Sequence, residues 1–141
     1  MREVLPGRLW IGNSRDARNL RLLHETGLRA IVDLAAEEPA AQLSRDLIYC
    51  RFPLLDGEGN SPELLNLASL SARGLIQAGI PTLVACSAGA SRSPSLAAMA
   101  LAQLQNRHPN EVLSDLCAEQ SHDVSPQLWE DLLHSCQARN Q

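Results

Sequence analysis

The feature that most constrains this chain is a point where an apolar strand passes into a helix through a loop of small residues. The segment Thr82-Leu83-Val84-Ala85 is apolar and of strand length, and residues 92–105 are rich in helix-forming residues. The intervening residues, 86–91, are Cys, Ser, Ala, Gly, Ala and Ser. A strand that leads directly into a helix is the unit from which α/β folds with parallel sheets are built.

The remainder of the chain repeats this alternation of strands and helices. We predict further strands at residues 2–5, 9–11, 30–34 and 47–52. We predict further helices from Ser14 to about Thr26, from Pro62 to about Ala78, from Pro109 to Glu119 and from Pro126 to Gln137. Residues 36–47 show no clear pattern, and Pro53 to Ser61 is a predicted loop. The pattern predicts one domain, residues 1–141, with a partly parallel sheet covered by helices on both faces.

Composition excludes several classes of function. The chain has 141 residues, of which 45% are hydrophobic, and this suits one domain with a substantial core. Its net charge is −4 and its pI is about 5.5, so nucleic acid and a membrane surface are not expected partners. The 12 basic residues are all Arg, which excludes Schiff-base chemistry and a P-loop lysine.

The cysteines, Cys50, Cys86, Cys117 and Cys136, form no C-x-x-C pair and have no zinc-finger spacing with the histidines. The first residues lack the apolar core of a signal peptide, and no apolar run approaches the length of a membrane span. We therefore expect a cytoplasmic protein with reduced thiols. We also expect a monomer that uses no metal and no cofactor.

The loop from Cys86 to Arg92 has the composition of a phosphate site. Its small residues allow backbone N–H groups to approach an oxyanion, and the helix that follows adds partial positive charge. Arg92 supplies a planar pair of donors that suits phosphate, and the same field favours the thiolate form of Cys86. Ser93 is placed to hydrogen-bond the sulfur when it leaves. The residues predicted to surround the phosphate are Ser87, Ala88, Gly89, Ala90, Ser91 and Arg92.

Transfer of a phosphoryl group to sulfur also needs an acid that protonates the leaving oxygen. Asp56 lies in the predicted loop between the strand 47–52 and the helix that begins at Pro62. We expect this loop and the Cys86 loop to leave neighbouring strands at the same edge of the sheet. Asp56-Gly57 is also a common turn pair, so the assignment depends on Cys86 and Arg92, and Glu58 is the alternative acid.

The motifs together resemble the dual-specificity branch of the protein tyrosine phosphatases along nearly the whole chain. Cys86 to Ser93 matches the pattern C-x-x-G-x-x-R-S, Phe52 to Asp56 resembles the general-acid loop, and Pro6 to Asn13 resembles the opening hairpin. Ala17 and Asn19 resemble the start of the first helix of that family.

The resemblance implies an α/β domain with a central, mostly parallel sheet of about four or five strands. It also implies a phosphocysteine intermediate on Cys86, with Asp56 delivering the proton and later activating water, and no metal. The implied substrates are proteins phosphorylated on tyrosine, with serine and threonine as further targets. The absence of basic residues inside the loop, apart from Arg92, disfavours a phosphoinositide substrate.

One position departs from the family, which usually has His before the nucleophile where this chain has Ala85. A phosphate-binding or phosphopeptide-binding module of the same fold, weak or inactive as a catalyst, is therefore the alternative function. A low-molecular-weight phosphatase or an arsenate reductase fits less well, because those proteins carry the loop near the N-terminus. A Cys/His hydrolase needs a His beside Cys86, and no position suggests one.

The other reactive and aromatic residues have simpler interpretations. Cys50 is interpreted as a core residue, with a regulatory disulfide to Cys86 as the alternative. The four histidines are expected on the surface. A solvated helix face is the first interpretation of the arginine row, with steering of acidic substrates as the second, and packing is the expectation for Trp10 and Trp129. The arginine row is Arg15, Arg18 and Arg21.

Overall fold

The structure, a computed structural model, describes residues 1–120 and 122–138; Ser121 and residues 139–141 of the predicted domain lie outside the described residues. In this part of the chain five strands form one sheet. They are β1 (Arg2–Leu5), β2 (Leu9–Asn13), β3 (Ala30–Ala35), β4 (Ile48–Leu54) and β5 (Thr82–Cys86).

The strands lie in the order β1-β2-β5-β3-β4. β1 and β2 form the predicted antiparallel hairpin, and the pairs β2–β5, β5–β3 and β3–β4 are parallel. The predicted fold class, a mostly parallel sheet of about four or five strands, is therefore confirmed. Parallel strands end at the same edge of the sheet, so the loops after β3, β4 and β5 open toward one another.

Helices cover both faces of the sheet, as predicted. The short helices α1 (Ser14–Arg18) and α2 (Leu20–Thr26) close one face over Trp10, Leu83 and Ala85. The other face carries the larger cluster, which includes Val84 and Cys86. The helices of that face are α3 (Pro62–Gln77), α4 (Arg92–Gln105), α5 (Pro109–Glu119) and α6 (Pro126–Ala138). No described helix is long and apolar enough to cross a membrane.

The prediction of a single helix from Ser14 to Thr26 is wrong, because the chain breaks at Asn19. The Asn19 backbone is not helical, and its side chain accepts a hydrogen bond from Leu22 N at 3.1 Å, so it begins a second helix. Asn13 caps the first helix in place of Ser14, through reciprocal 3.0 Å bonds with Asp16. Asn competes well for such cap positions, and two Asn residues here divide the segment.

The end of β4 also differs from the prediction. The strand continues through Pro53 to Leu54, so the predicted loop begins two residues later than expected. β4 is an edge strand of the sheet, where a proline does not have to donate to a ladder. From the sequence we expect β4 and β5 to be neighbours. That expectation is wrong, because β3 lies between them.

Most surface predictions agree with the structure, and both tryptophans are buried as expected. His24, His108 and His134 are exposed, but His122 is half-buried with its Nε2 2.6 Å from Arg2 Nη2. Burial and the charge of Arg2 lower the pKa of His122.

In the predicted arginine row Arg15 and Arg21 are exposed. Arg18 instead donates to the carbonyls of Ser14 and Pro39. It therefore ties α1 to the segment that follows β3.

The central helix α4 is built for close packing. Every residue from Arg92 to Ala102 is buried, and alanines form much of this stretch. Small side chains allow α4 to lie between the sheet and its neighbours α3, α5 and α6. The helix that begins at the candidate phosphate loop is therefore held on all sides.

We predict that Ala98→Leu destabilises the protein by about 1–3 kcal/mol, because Ala98 is fully buried and the larger side chain overpacks the core. Urea unfolding followed by circular dichroism measures the change. Ala118→Leu, at an exposed position of α5, is the matched control and is expected to change the free energy of unfolding by less than about 0.5 kcal/mol. Equal losses for the two variants would contradict this account of the packing.

Candidate functional site

The candidate site begins where β5 ends and the chain turns into α4. Cys86 is the last residue of β5 and Arg92 is the first residue of α4. Gly89 has a φ of +74°, and a Cβ there would lie 3.1 Å from the Gly12 carbonyl carbon and oxygen. Both the backbone conformation and the close approach to β2 therefore require glycine at position 89.

The backbone N–H groups of this loop have no hydrogen-bond acceptor among the described residues. Two of its carbonyls are bound to other segments: Ser87 O accepts from Ser14 N at 3.3 Å, and Ala90 O accepts from Asp123 N at 2.9 Å. Among the hydrogen bonds of the described residues, none is donated by a backbone N–H between Ser87 and Arg92. Consecutive N–H groups free of internal acceptors, at the start of a helix, form an anion-binding nest.

The Cys86 sulfur is buried and lies over Ser93. Sγ is 3.3 Å from Ser93 Oγ and 3.4 Å from Ser93 N, and Ser93 Oγ is 3.4 Å from Gly12 O. The hydroxyl has one proton. It can donate to Gly12 O while the thiol is protonated, or to the sulfur when the sulfur is an anion. Ser93 is thus arranged to follow the charge of Cys86.

The guanidinium of Arg92 is buried and is hydrogen-bonded to the loop after β3 and to the last residue of β4. Nη1 and Nη2 donate to the two carboxylate oxygens of Glu37 at 2.6 and 2.8 Å, and Nη1 also donates to Leu54 O at 2.9 Å. Burial works against the charge, but the hydrogen bond and charge of Glu37 outweigh it, and the pKa of Arg92 is raised. The cation is therefore permanent and fixed in position.

The donors that remain on Arg92 lie on one edge. Of the five N–H groups of a guanidinium, Glu37 and Leu54 occupy both of Nη1 and one of Nη2. The buried Nε has no hydrogen-bond partner among the described residues. Nε–H and the second Nη2–H form the side edge of the plane, which suits two oxygens of a phosphate.

Asp56 is connected to the same loop through Ser91. Ser91 Oγ donates to Asp56 Oδ1 at 2.6 Å and accepts from Ser125 N at 2.9 Å. In the described part of the chain Asp56 Oδ2 has no hydrogen-bond partner. The carboxyl group is therefore anchored by one oxygen and leaves the other available to hold a proton.

These residues surround a single cavity of about 250 Å³. The structure brings Cys86, Arg92 and Asp56 together, while Ser93 lies buried beneath the sulfur. Glu58, the alternative acid, does not line the cavity. The lining residues are Glu37, Asp56, Cys86, Ser87, Ala88, Ala90, Ser91, Arg92 and Asp123.

Two of the lining residues, Glu37 and Asp123, were not predicted from the sequence. Glu37 follows β3, the strand that lies between β4 and β5, so its loop lies between the other two. The hydrogen bonds from Arg92 lower the pKa of Glu37 from 4.5 to about 2, against the opposing effect of desolvation. The only sequence signal was an acidic pair, Glu37-Glu38, after a buried strand, and strand order was needed to place it.

Cys50 does not reach the sulfur of Cys86. It lies on β4 opposite Val32 of β3, and Val32 in turn lies opposite Val84 of β5. Two strand spacings separate the Cα atoms of Cys50 and Cys86 by about 10 Å or more. A disulfide needs Cα atoms within roughly 7 Å of each other. The alternative of a disulfide with Cys86 is therefore wrong, and Cys50 packs against the core as the first interpretation held.

Across the described residues, no group of three or more His, Cys, Asp or Glu side chains is arranged to hold a metal ion. Two of the carboxylates at the cavity, Glu37 and Asp56, accept hydrogen bonds from protein donors.

No protein-family model matches the chain, and no curated protein matches it. Solved structures do. Human DUSP28 has a TM-score of 0.84 at 20% identity, covering 99% of this chain and 98% of that chain. The structure of DUSP15 has a TM-score of 0.79 at 25% identity, covering 100% of this chain and 90% of that chain.

A third structure, human tyrosine phosphatase-like serine/threonine/tyrosine-interacting protein, has a TM-score of 0.85 at 18% identity and covers 100% of this chain and 98% of that chain. The chain has the dual-specificity phosphatase fold. The resemblance seen in the sequence is thereby confirmed at the level of the fold. Within this dual-specificity phosphatase fold, the strand–loop–helix unit at Cys86 is the feature on which the site is built.

We predict that Glu37→Gln weakens binding of tungstate about tenfold, equivalent to about 1.4 kcal/mol, because an amide holds the guanidinium by one oxygen only. Isothermal titration calorimetry measures the affinity. The folded pKa of Glu37 is about 2, so its carboxylate stays ionised throughout the range from about pH 5 to 8. The loss of tungstate affinity is therefore expected to be the same across that range.

Glu38→Gln is the matched control, since it removes the same charge from the next residue, whose side chain does not contact Arg92. An equal loss in both variants would show that Glu37 acts through net charge and not by positioning Arg92.

Proposed function

We propose that this chain is a cysteine-dependent phosphatase that removes phosphate from phosphorylated proteins. One observation carries the proposal: a buried sulfur, the free edge of a fixed guanidinium and an anchored carboxyl group meet at one cavity of about 250 Å³. Each is a part that displacement at a phosphate monoester requires. The nest of free N–H groups supplies the remaining donors.

In the first step the Cys86 thiolate attacks phosphorus and the bond to the ester oxygen breaks. The phosphoryl oxygens are held by the loop N–H groups and by the Nε and Nη2 edge of Arg92. Protonated Asp56 gives its proton to the leaving oxygen, so the product departs as a neutral hydroxyl. A phosphocysteine remains on Cys86.

In the second step water attacks the phosphorus of the phosphocysteine and the sulfur–phosphorus bond breaks. Asp56, now ionised, accepts the proton of that water and returns to its starting state. The sulfur leaves as a thiolate, and Ser93 turns its hydroxyl proton from Gly12 O to the sulfur, which is 3.3 Å from Ser93 Oγ. Inorganic phosphate is released.

The lining of the cavity supports a protein substrate with one phosphate. Arg92 is the one cation among the lining residues, and it faces three carboxylates, Glu37, Asp56 and Asp123. A ligand with several phosphates finds no second cation there. The lining also has no aromatic side chain to stack on a phosphotyrosine ring. Phosphoserine and phosphothreonine therefore join phosphotyrosine as proposed substrates.

A binding module without turnover is the second candidate. Ala85 stands where the family usually has His, and one structure of the same fold is named as phosphatase-like and as an interacting protein. Against this candidate, the site retains a sulfur and a carboxyl group, neither of which is needed for binding alone.

Hydrolysis of an aryl phosphate separates the two candidates. We expect turnover by the wild-type protein that is abolished by Cys86→Ser and blocked by vanadate. Cys117→Ser is the matched control, because this thiol lies on α5, outside the cavity, and it should leave the rate unchanged. Binding of a phosphopeptide without any turnover would overturn the phosphatase proposal in favour of the module.

We predict that Asp56→Asn slows hydrolysis of a phosphoserine peptide by about 10²–10⁴, because its alkoxide leaving group depends on a proton donor. An aryl phosphate with an acidic phenol should slow far less, by about tenfold or below. Steady-state kinetics on both substrates give the ratio. Asp123→Asn, which removes another carboxylate from the lining of the cavity, should leave that ratio unchanged. Equal slowing of both substrates by Asp56→Asn would remove Asp56 from the acid role.

A further inference from the structure

A second cleft, of about 260 Å³, opens beside the candidate phosphate cavity. It lies between the segment after β3 and the loop that carries Asp56. It shares Glu37, Asp56 and Arg92 with the phosphate cavity, and its own walls are apolar. Those walls are Ala36, Leu54 and Leu55.

Leu55 is the exposed wall of this cleft. Leu55 is 51% exposed and directly precedes Asp56 in the chain. The Asn60 side chain fixes its backbone from both directions: Leu55 N donates to Asn60 Oδ1 at 2.8 Å, and Asn60 Nδ2 donates to Leu55 O at 2.9 Å. An apolar side chain held open to solvent on a tied loop is preorganised for contact, which lowers the entropy lost on binding.

We propose that this cleft is a subsite for an apolar side chain adjacent to the phosphorylated residue of a substrate. The inference rests on the proposed function, since a phosphate bound at Arg92 brings the neighbouring residue to the cleft. Successive Cα atoms are about 3.8 Å apart, and the two cavities share three residues, so both are within reach of one peptide.

The charges around the cleft disfavour an acidic neighbour. Glu37 and Arg92 are paired with each other, and the remaining Arg92 edge is taken by the phosphate. Asp56 holds a proton in the proposed first step, and Asp123 lines the phosphate cavity but not this cleft. A carboxylate placed here meets the Glu37 carboxylate and no free cation among the lining residues, whereas a leucine side chain meets Ala36 and the exposed Leu55.

Binding to the Cys86→Ser variant tests the subsite without any need for turnover. The probes are three fluorescent phosphotyrosine peptides in which both residues beside the phosphotyrosine are Leu, Gly or Glu. Fluorescence anisotropy is expected to give a Kd for the Leu peptide about tenfold below that for the Gly peptide, with the Glu peptide weakest.

The substitution Leu55→Ser in the same background should bring the Leu-to-Gly ratio of Kd values close to one. Leu67→Ser is the matched control, because Leu67 of α3 is 53% exposed and does not line the cleft, and it should keep the tenfold ratio. Loss of the ratio in both variants would overturn the assignment of Leu55.

The outcomes distinguish this inference from the proposed function. Equal affinity for the Leu, Gly and Glu peptides overturns the subsite and leaves the phosphatase proposal standing. Failure of all three peptides to bind, with no turnover of an aryl phosphate by the wild-type protein, overturns both.

Discussion

The ion pair between Arg92 and Glu37 is the interaction on which the site depends. Burying a guanidinium costs free energy unless its N–H groups are hydrogen-bonded. Here Glu37 accepts from Nη1 and Nη2, and Leu54 O accepts the second hydrogen bond of Nη1. These partners are in the loop after β3 and in the last residue of β4, so one cation fixes three chain segments relative to one another. The remaining Nε and Nη2 edge of Arg92 is therefore held in one orientation before any ligand binds.

The sulfur is supported by packing in the same way. α4 begins at Arg92 and is buried through Ala102, so the N-terminus of the helix cannot move away from the end of β5. Gly89 lies against the backbone of Gly12, and Ser93 lies between Cys86 and the Gly12 carbonyl. The geometry around Cys86 is therefore a consequence of how closely α4, β2 and β5 pack.

The sequence predicted the local elements well because helix and strand signals are local. The bounds of α4 and α5 are the predicted ones, and Gly27 ends α2 as expected. Strand order is not a local property, and for this reason β3 was not placed between β4 and β5 and Glu37 was missed. Asn19 carried a readable signal, since Asn favours cap positions, but the apolar pattern continued past it and concealed the break.

The alternation of β5 explains how Ala85 bears on the loop. Val84 and Cys86 face the cluster under α4, whereas Leu83 and Ala85 face the cluster under α1 and α2. A side chain at position 85 therefore points to the α1 and α2 side of the sheet, and it acts on the phosphate loop only through those helices. In this chain that layer reaches the loop by its backbone: Ser14 N, at the start of α1, donates to Ser87 O at 3.3 Å. The Ser87 carbonyl is thus held without an imidazole, because α1 packs on the face of the sheet that carries Ala85, where Ala17 and Ala85 belong to one cluster.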